Sequence, residues 1–215
     1  MSEILLEKGH SVLGTFCNTE PSFKHPKMEW ERFNVLDEEP LKSLPKEIHG
    51  FAYCPGNISL KPFHRVPLSD FMNDFNLQVK GAIRTVREAL PGLKKSERGS
   101  ILFFSTVAVQ KGFAFHAQVA ASKGAIEGLT RALAAEYAPA IRVNCLAPSL
   151  TDTKLAGKLL SSEEKKERQA ERHPLKRIGT PEDLGRAGAF MLTEESSWVT
   201  GQILHIDGGL THLSA

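Results

Sequence analysis

Short apolar runs rich in β-branched and aromatic residues recur along the chain, and longer segments with helical spacing separate them. Several of these runs are nearly continuously apolar, which is typical of parallel strands covered on both faces. The runs predict six strands, at residues 11–18, 28–35, 50–56, 100–106, 141–148 and 202–209.

The segments between the strands predict long helices. One helix is predicted over 69–90, with Pro91 and Gly92 as its stop signal, and a second over 117–137. A third opens at Thr180, a good N-cap, followed by Pro181 at the first helical position. Alternating strands and helices predict a doubly wound, Rossmann-like α/β fold with a parallel sheet in one domain, 1–215.

The first residues read as the last turns of a helix that leads into the strand at 11–18. A doubly wound nucleotide fold has a strand and a glycine-rich turn before that point. Neither is present, so the first strand of the fold is missing from this sequence. We expect residues upstream of Met1 in the natural protein; a true start at Met1 is the alternative.

Composition and charge narrow the classes of partner. With 27 basic and 25 acidic residues the formal charge is +2. This small net charge gives no indication that the protein binds nucleic acid or an anionic membrane. No apolar stretch approaches the ~20 residues of a membrane span. The three cysteines are an odd number without metal-ligand spacing, and we expect each to be a buried apolar residue in a reducing cytoplasm.

The segment from about Gly50 to Leu210 resembles the short-chain dehydrogenase/reductase family. Its "IRVNCLAPSLTDT" (141–153) is similar to the family's strand-and-loop pattern "RVN…PG…T". The stretch 173–209, "HPLKRIGTPEDLGRAGAFMLTEESSWVTGQILHIDGG", follows the closing pattern of the family almost position by position. The resemblance implies an NAD(P)-dependent oxidoreductase acting on a small carbonyl or alcohol.

Members of the family use an asparagine, a serine, a tyrosine and a lysine for catalysis, and the resemblance assigns each of them to a position in this sequence. The lysine, which holds the nicotinamide ribose, corresponds to Lys123. The tyrosine, which transfers the substrate proton, corresponds to Val119, which has no proton to give. The serine corresponds to Thr106, with Ser105 adjacent, and the asparagine to Gln78.

The positions that contact the cofactor in the family are mixed. Besides Lys123, the resemblance implies nucleotide contacts at five positions: Asn34, Val35, Gly56, Pro148 and Thr153. The loop after Pro148 has Ser149 where glycine is usual. No acidic residue ends the strand at 11–18, which slightly favours NADP over NAD.

A replacement for the tyrosine is therefore required if the protein is an enzyme. His116 precedes Val119 by three residues, so both side chains share a helix face, and imidazole suits proton transfer at neutral pH. A surface or capping histidine is the alternative interpretation. Tyr53 is a second candidate, although a packing role is the simpler interpretation, and water is a third.

The helix at 117–137 carries small residues at spacings of three and four, which permits close helix packing. In the family the equivalent helix and the one at 69–90 form a dimer interface, and the terminal segment 208–215 resembles a tetramer contact. The resemblance therefore implies a homodimer or homotetramer; packing of this face on the sheet is the alternative.

Two hypotheses remain. The first is a divergent oxidoreductase with Lys123 on the ribose, Thr106 on the substrate oxygen, and His116 or water as proton source. The second is a catalytically silent relative that binds a nucleotide or acts as an oligomeric scaffold. Lys123 favours the first hypothesis, and the changes at Gln78, Thr106 and Val119 favour the second.

Overall fold

The computed structural model describes residues 1–214, and it contains all six predicted strands. Their apolar runs pair as parallel strands, so the doubly wound α/β fold is confirmed. The strands are β1 Val12–Phe16, β2 Met28–Arg32, β3 Gly50–Ala52, β4 Gly99–Phe104, β5 Ile141–Pro148 and β6 Ile203–Ile206.

The strands form two parallel sheets. β1 pairs with β2 in a two-stranded sheet, from Val12 opposite Met28 to Phe16 opposite Arg32. The other four strands form a second sheet in the order β3-β4-β5-β6. Since every strand pair is parallel, the carboxyl ends of β3, β4 and β5 lie at one edge, where ligands bind in folds of this kind.

Among residues 1–214, six α-helices cover the sheets: α1 Ser2–Glu7, α2 Leu68–Phe75, α3 Gly81–Lys95, α4 Ala117–Tyr137, α5 Glu163–Ala170 and α6 Pro181–Leu192. The prediction of 117–137 agrees with α4 at both ends. At the start of α6, Thr180 is the N-cap and Pro181 lies in the first turn, as the sequence predicted, and Asp183 completes a reciprocal capping box with Thr180.

The predicted helix 69–90 was wrong at its C-terminal end. α2, a π-helical turn at Asn76–Lys80 and α3 run on to Lys95, with Pro91 inside the helix. Packing outweighs the local stop signal. Leu93 is fully buried, Gly92 lies so close to Ile48 that an added Cβ would be 2.9 Å from Ile48 Cγ1, and the Gly92 carbonyl accepts a hydrogen bond from the Ile48 amide at 3.1 Å.

The core explains why the strands are apolar on both faces. On β4, Ile101 and Phe103 pack against α3 and α4, whereas Leu102 points to the opposite face, towards Met191 of α6. Of the cysteines only Cys145 is buried, so the expectation for Cys17 and Cys54 was wrong: both lie just beyond strand ends and are exposed. Within residues 1–214 no helix is long and apolar enough to cross a membrane.

Candidate active site

A cavity of about 690 Å³ opens at the carboxyl edge of the four-stranded sheet. Its floor is formed by residues that directly follow β3, β4 and β5, and one wall by the start of α4. Residues of the segment from Leu150 to His173 cover it. The volume lies within the usual range of small-molecule sites, about 300–1,000 Å³.

Lys123 reaches this cavity from the second turn of α4. The residue is 9% exposed, and its Nζ donates a hydrogen bond to the Phe104 carbonyl at 2.8 Å, at the end of β4. Burial lowers the pKa of Lys123 below its ordinary value, although the nearby Cys145 and Asp74 act in the opposite direction. An ammonium group with further N–H donors thus lies at the cavity floor.

Gln78 lies within the π-helical turn between α2 and α3, and it is fully buried. Its Nε2 donates to Asp74 Oδ1 at 2.8 Å, whereas its Oε1 has no hydrogen-bond partner. Gln78 lines the cavity beside Gly56, where an added Cβ would lie 3.4 Å from Gln78 Oε1 and 3.6 Å from Lys123 Nζ. A buried acceptor and a buried cation therefore converge on one small space without a side chain.

Two hydroxyl groups follow β4. Ser105 is buried, and its Oγ donates to Glu127 Oε1 of α4 at 2.7 Å. Thr106 is half-buried and lines the cavity; its Oγ1 accepts the Ala108 amide at 3.3 Å and retains its own proton for another acceptor. Thr106 is thus the hydroxyl that is available to a substrate, whereas Ser105 is engaged in holding α4.

Val119 and His116 both line the cavity at the start of α4. Val119 is buried and places an apolar patch one helical turn before Lys123. His116 is half-buried at the N-cap position, with Nδ1 2.8 Å from the Ala114 carbonyl, and its ring lies against Phe113. Because that carbonyl can only accept, Nδ1 carries the proton.

The remaining predicted positions separate into two groups. Gly56, Pro148 and Thr153 line the cavity. Asn34 and Val35 lie outside its lining, because they follow β2 of the other sheet, where the Asn34 side chain caps a turn through Leu36 and Asp37.

Tyr53 is also outside the cavity lining and is unsuited to proton transfer. Its hydroxyl donates to the Leu77 carbonyl in the π-helical turn, and burial raises its pKa above the ordinary value. It lies against Gly81, where an added Cβ would overlap the phenol oxygen. The packing interpretation of Tyr53 therefore agrees with its contacts.

Sequence reasoning missed a pair formed by Ser149 and His173. Ser149 Oγ lies 2.9 Å from His173 Nε2, and both residues line the cavity. The unusual residue after Pro148 was a signal for Ser149. His173 opens the stretch 173–209, but that pattern does not indicate its partner, because the two residues are 24 positions apart and meet only when the covering segment folds back onto β5.

The cavity at the carboxyl ends of parallel strands, with a buried lysine on the adjoining helix, lies where doubly wound α/β folds bind their ligands. Residues 39–211 match the family described as enoyl-(acyl carrier protein) reductase. The chain is 31% identical over 209 residues to tropinone reductase-like 3 of Erythroxylum coca, covering 96% of this chain and 76% of that protein. It is 38% identical over 140 residues to 2-(S)-hydroxypropyl-CoM dehydrogenase 3 of Xanthobacter autotrophicus, covering 63% and 55%.

Among solved structures, ligand-free aldohexose dehydrogenase of Thermoplasma acidophilum superimposes with a TM-score of 0.87 at 24% identity, over 100% of this chain and 90% of that one. The chain belongs to the short-chain dehydrogenase/reductase family. The aligned part of the chain spans about half to three quarters of the curated relatives named above.

Proposed function

We propose that the protein is an NAD(P)-dependent oxidoreductase that interconverts a small alcohol and its carbonyl compound. The observation that carries the proposal is the convergence of Lys123 Nζ, Gln78 Oε1 and Thr106 Oγ1 on one cavity. The bound nicotinamide would supply the hydride acceptor or donor. The protein would supply the binding groups, the contact to the substrate oxygen and a proton.

The cavity floor fits the ribose part of a nucleotide. Lys123 keeps N–H donors beyond the one used by Phe104, and Gln78 Oε1 is a buried acceptor without a donor. Vicinal hydroxyl groups both donate and accept, so they would satisfy the two groups together. Gly56 leaves the room that this approach requires, and Pro148 and Thr153 would line the nicotinamide side.

NADP is the nucleotide that we propose. Arg32 ends β2, and its Nε donates to the Cys17 carbonyl at 3.3 Å, just beyond the carboxyl end of β1. In dinucleotide folds this region contacts the adenosine ribose, where an arginine favours a 2′-phosphate and an acid favours a free hydroxyl. Asn34 and Val35, on the turn after β2, would contact the adenine.

The substrate oxygen would be bound by the Thr106 hydroxyl. Val119 provides no proton, so another group must transfer it. His116 is the candidate that the sequence indicates, since it lines the cavity and its Nδ1 is fixed by Ala114. Water in the cavity is the alternative proton source.

A homodimer, or a homotetramer built from it, is the proposed assembly. α2 and α3 expose Leu68, Met72, Phe75 and Ile83, and an added Cβ on Gly128 of α4 would meet nothing within 4 Å. These surfaces would pair about a twofold axis. Of the segment 208–215 proposed for tetramer contacts, Ala215 lies outside the described residues. The free thiols of Cys17 and Cys54 suit the reducing cytoplasm that we propose as location.

Nucleotide titration separates this function from a silent scaffold. NADPH fluorescence should rise and shift on binding, and NADH should bind more weakly. A panel of small ketones and aldehydes would then be assayed with the preferred nucleotide. Absence of binding by both nucleotides would refute the oxidoreductase and favour the scaffold.

A further inference from the structure

A hydrogen-bonded chain connects the cavity to a buried histidine. The Ser149 hydroxyl lies 2.9 Å from His173 Nε2, and His173 Nδ1 lies 2.8 Å from the Gln169 carbonyl. A carbonyl oxygen can only accept, so Nδ1 carries the proton, and in neutral imidazole Nε2 then accepts from the serine hydroxyl. His173 is 3% exposed, so both ring nitrogens are fixed by protein groups rather than by bulk water.

The strand ends place this chain beside the proposed substrate contact. Ser149 directly follows β5, and Thr106 is the second residue after β4, opposite Pro148 when the register of the two strands is continued. The Val107 amide donates to the Pro148 carbonyl at 3.2 Å, which continues the pairing of the two strands beyond their ends. A substrate oxygen bound by Thr106 therefore lies next to the residue that carries the second hydroxyl.

We propose that Ser149 and His173 transfer the substrate proton in the reaction proposed above, on which this inference rests. In alcohol oxidation, the substrate O–H proton passes to Ser149 Oγ while the Ser149 proton passes to His173 Nε2. A bound oxidised nicotinamide would supply the acceptor for the C–H hydride and its electron pair, so that the C=O bond could form, and His173 would hold the released proton as an imidazolium. In reduction each transfer is reversed, and His173 regains its proton from water after product release.

The surroundings of the two histidines favour His173 over His116 for this step. His116 is half-buried at the end of a loop, and one of its nitrogens is tied to Ala114 two residues away. His173 is buried, and the Gln169 carbonyl stabilises the imidazolium that would form. A histidine oriented by a second acceptor and bound to a hydroxyl is the arrangement that other enzymes use to move a proton through serine.

The principal experiment compares one substitution at three histidines. His173→Gln retains a side-chain acceptor for Ser149 but cannot be protonated. We expect kcat to fall by about 10²-fold or more, as for loss of a positioned acid–base group, with unchanged NADPH affinity. His116→Gln should have a much smaller effect. His49→Gln is the matched control, because His49 is exposed and precedes β3 at the opposite edge of the sheet.

Four further measurements distinguish proton transfer from a merely structural contact. His173→Ala should regain rate when imidazole is added, and the solvent deuterium isotope effect on kcat should increase in His173→Gln. Ser149→Gly should lose kcat as His173→Gln does, whereas Ser149→Thr should retain most of it. In ¹⁵N NMR of the nucleotide-free protein, His173 should be the Nδ1–H tautomer.

The outcomes separate this inference from the function on which it rests. If NADPH binds and turnover occurs but His173→Gln and Ser149→Gly affect only KM, the pair merely fastens the covering segment and the inference is wrong. A large kcat loss confined to His116→Gln would assign the proton to His116 instead. An Nε2–H tautomer would overturn the proposed chain without any assay of turnover. Failure of both NADPH and NADH to bind would refute the proposed function itself.

Discussion

Val119→Tyr tests whether the cavity retains everything that phenol-based proton transfer requires. Val119 is buried, lines the cavity and precedes Lys123 by one helical turn, about 6 Å along the axis. An ammonium about 4 Å from the new phenol would stabilise the phenolate by roughly 4 kcal/mol at an effective dielectric constant of about 20. That corresponds to about three pKa units, enough to bring a phenol from about 10 to near 7.

The expected rate follows from this estimate. A positioned acid–base group contributes about 10²–10⁴-fold, or roughly 3–5 kcal/mol of activation free energy. Overpacking of the new ring costs about 1–3 kcal/mol of stability, and the cavity beside Val119 offers room for it. We therefore expect kcat for carbonyl reduction to rise at least about 10²-fold, with a modest loss in the free energy of unfolding.

The assay is single-turnover oxidation of NADPH with the best substrate of the panel, together with urea denaturation. Val119→Phe is the matched control, because it adds the ring without the hydroxyl. If Val119→Tyr and Val119→Phe give equal rates while both bind NADPH, Lys123 and Thr106 are not positioned around a reacting oxygen. In the Val119→Tyr background, His173→Gln should no longer reduce kcat, because the phenol bypasses Ser149.

Three other predictions concern Lys123, the N-terminal cap of α6 and the exposed surface of α2 and α3. Lys123→Met should weaken NADPH binding about 10- to 100-fold by fluorescence titration, since a charged hydrogen bond contributes about 1.5–3 kcal/mol; unchanged affinity would remove the ribose role. Asp183→Ala should lower the melting temperature by about 2–4 °C, because about 1 kcal/mol of helix capping is lost. Two hydrogen bonds from Arg177, at 2.6 and 2.9 Å, hold the pKa of Asp183 below its usual range. The stability that the Asp183 carboxylate contributes is therefore present above about pH 4 and disappears as the pH falls through the depressed pKa. A difference in melting temperature between the wild type and Asp183→Ala that persists below that pKa would contradict this interpretation. Ile83→Glu should convert the proposed dimer into monomers in light scattering, whereas Trp198→Ala, at an exposed site outside these helices, should leave the dimer intact. If the two variants have the same molar mass, the surface of α2 and α3 is not the dimer interface.

The sequence was sufficient for the fold because each strand carries its own signal. Runs such as 100–106 are apolar on both faces, since Ile101 and Leu102 point to opposite helix layers and both are fully buried. The end of α3 was not predictable in this way. Pro91 locally favours the end of a helix, and the last turn of α3 is retained because Leu93 is buried and Gly92 packs against Ile48.

For the candidate site, the family resemblance singled out Lys123, Thr106 and Gln78, and the structure places all three in the lining of one cavity. The sequence did not indicate that the Ser105 hydroxyl is hydrogen-bonded to Glu127. The contact between His173 and Ser149 could not be predicted from the sequence, because it depends on the path of the irregular covering segment and not on any periodic pattern.

The division of the strands into two sheets has a thermodynamic consequence. In the described part of the chain, each sheet is hydrogen-bonded within itself, and the proposed nucleotide contacts are shared between them: Asn34 follows β2, whereas Gly56 and Lys123 lie beside β3 and β4. A dinucleotide held by both groups would act as a cross-link between the sheets. Its binding free energy would then add to the cost of separating them, so amide hydrogen exchange in β1 and β2 should slow with NADPH concentration as strongly as exchange at the site itself.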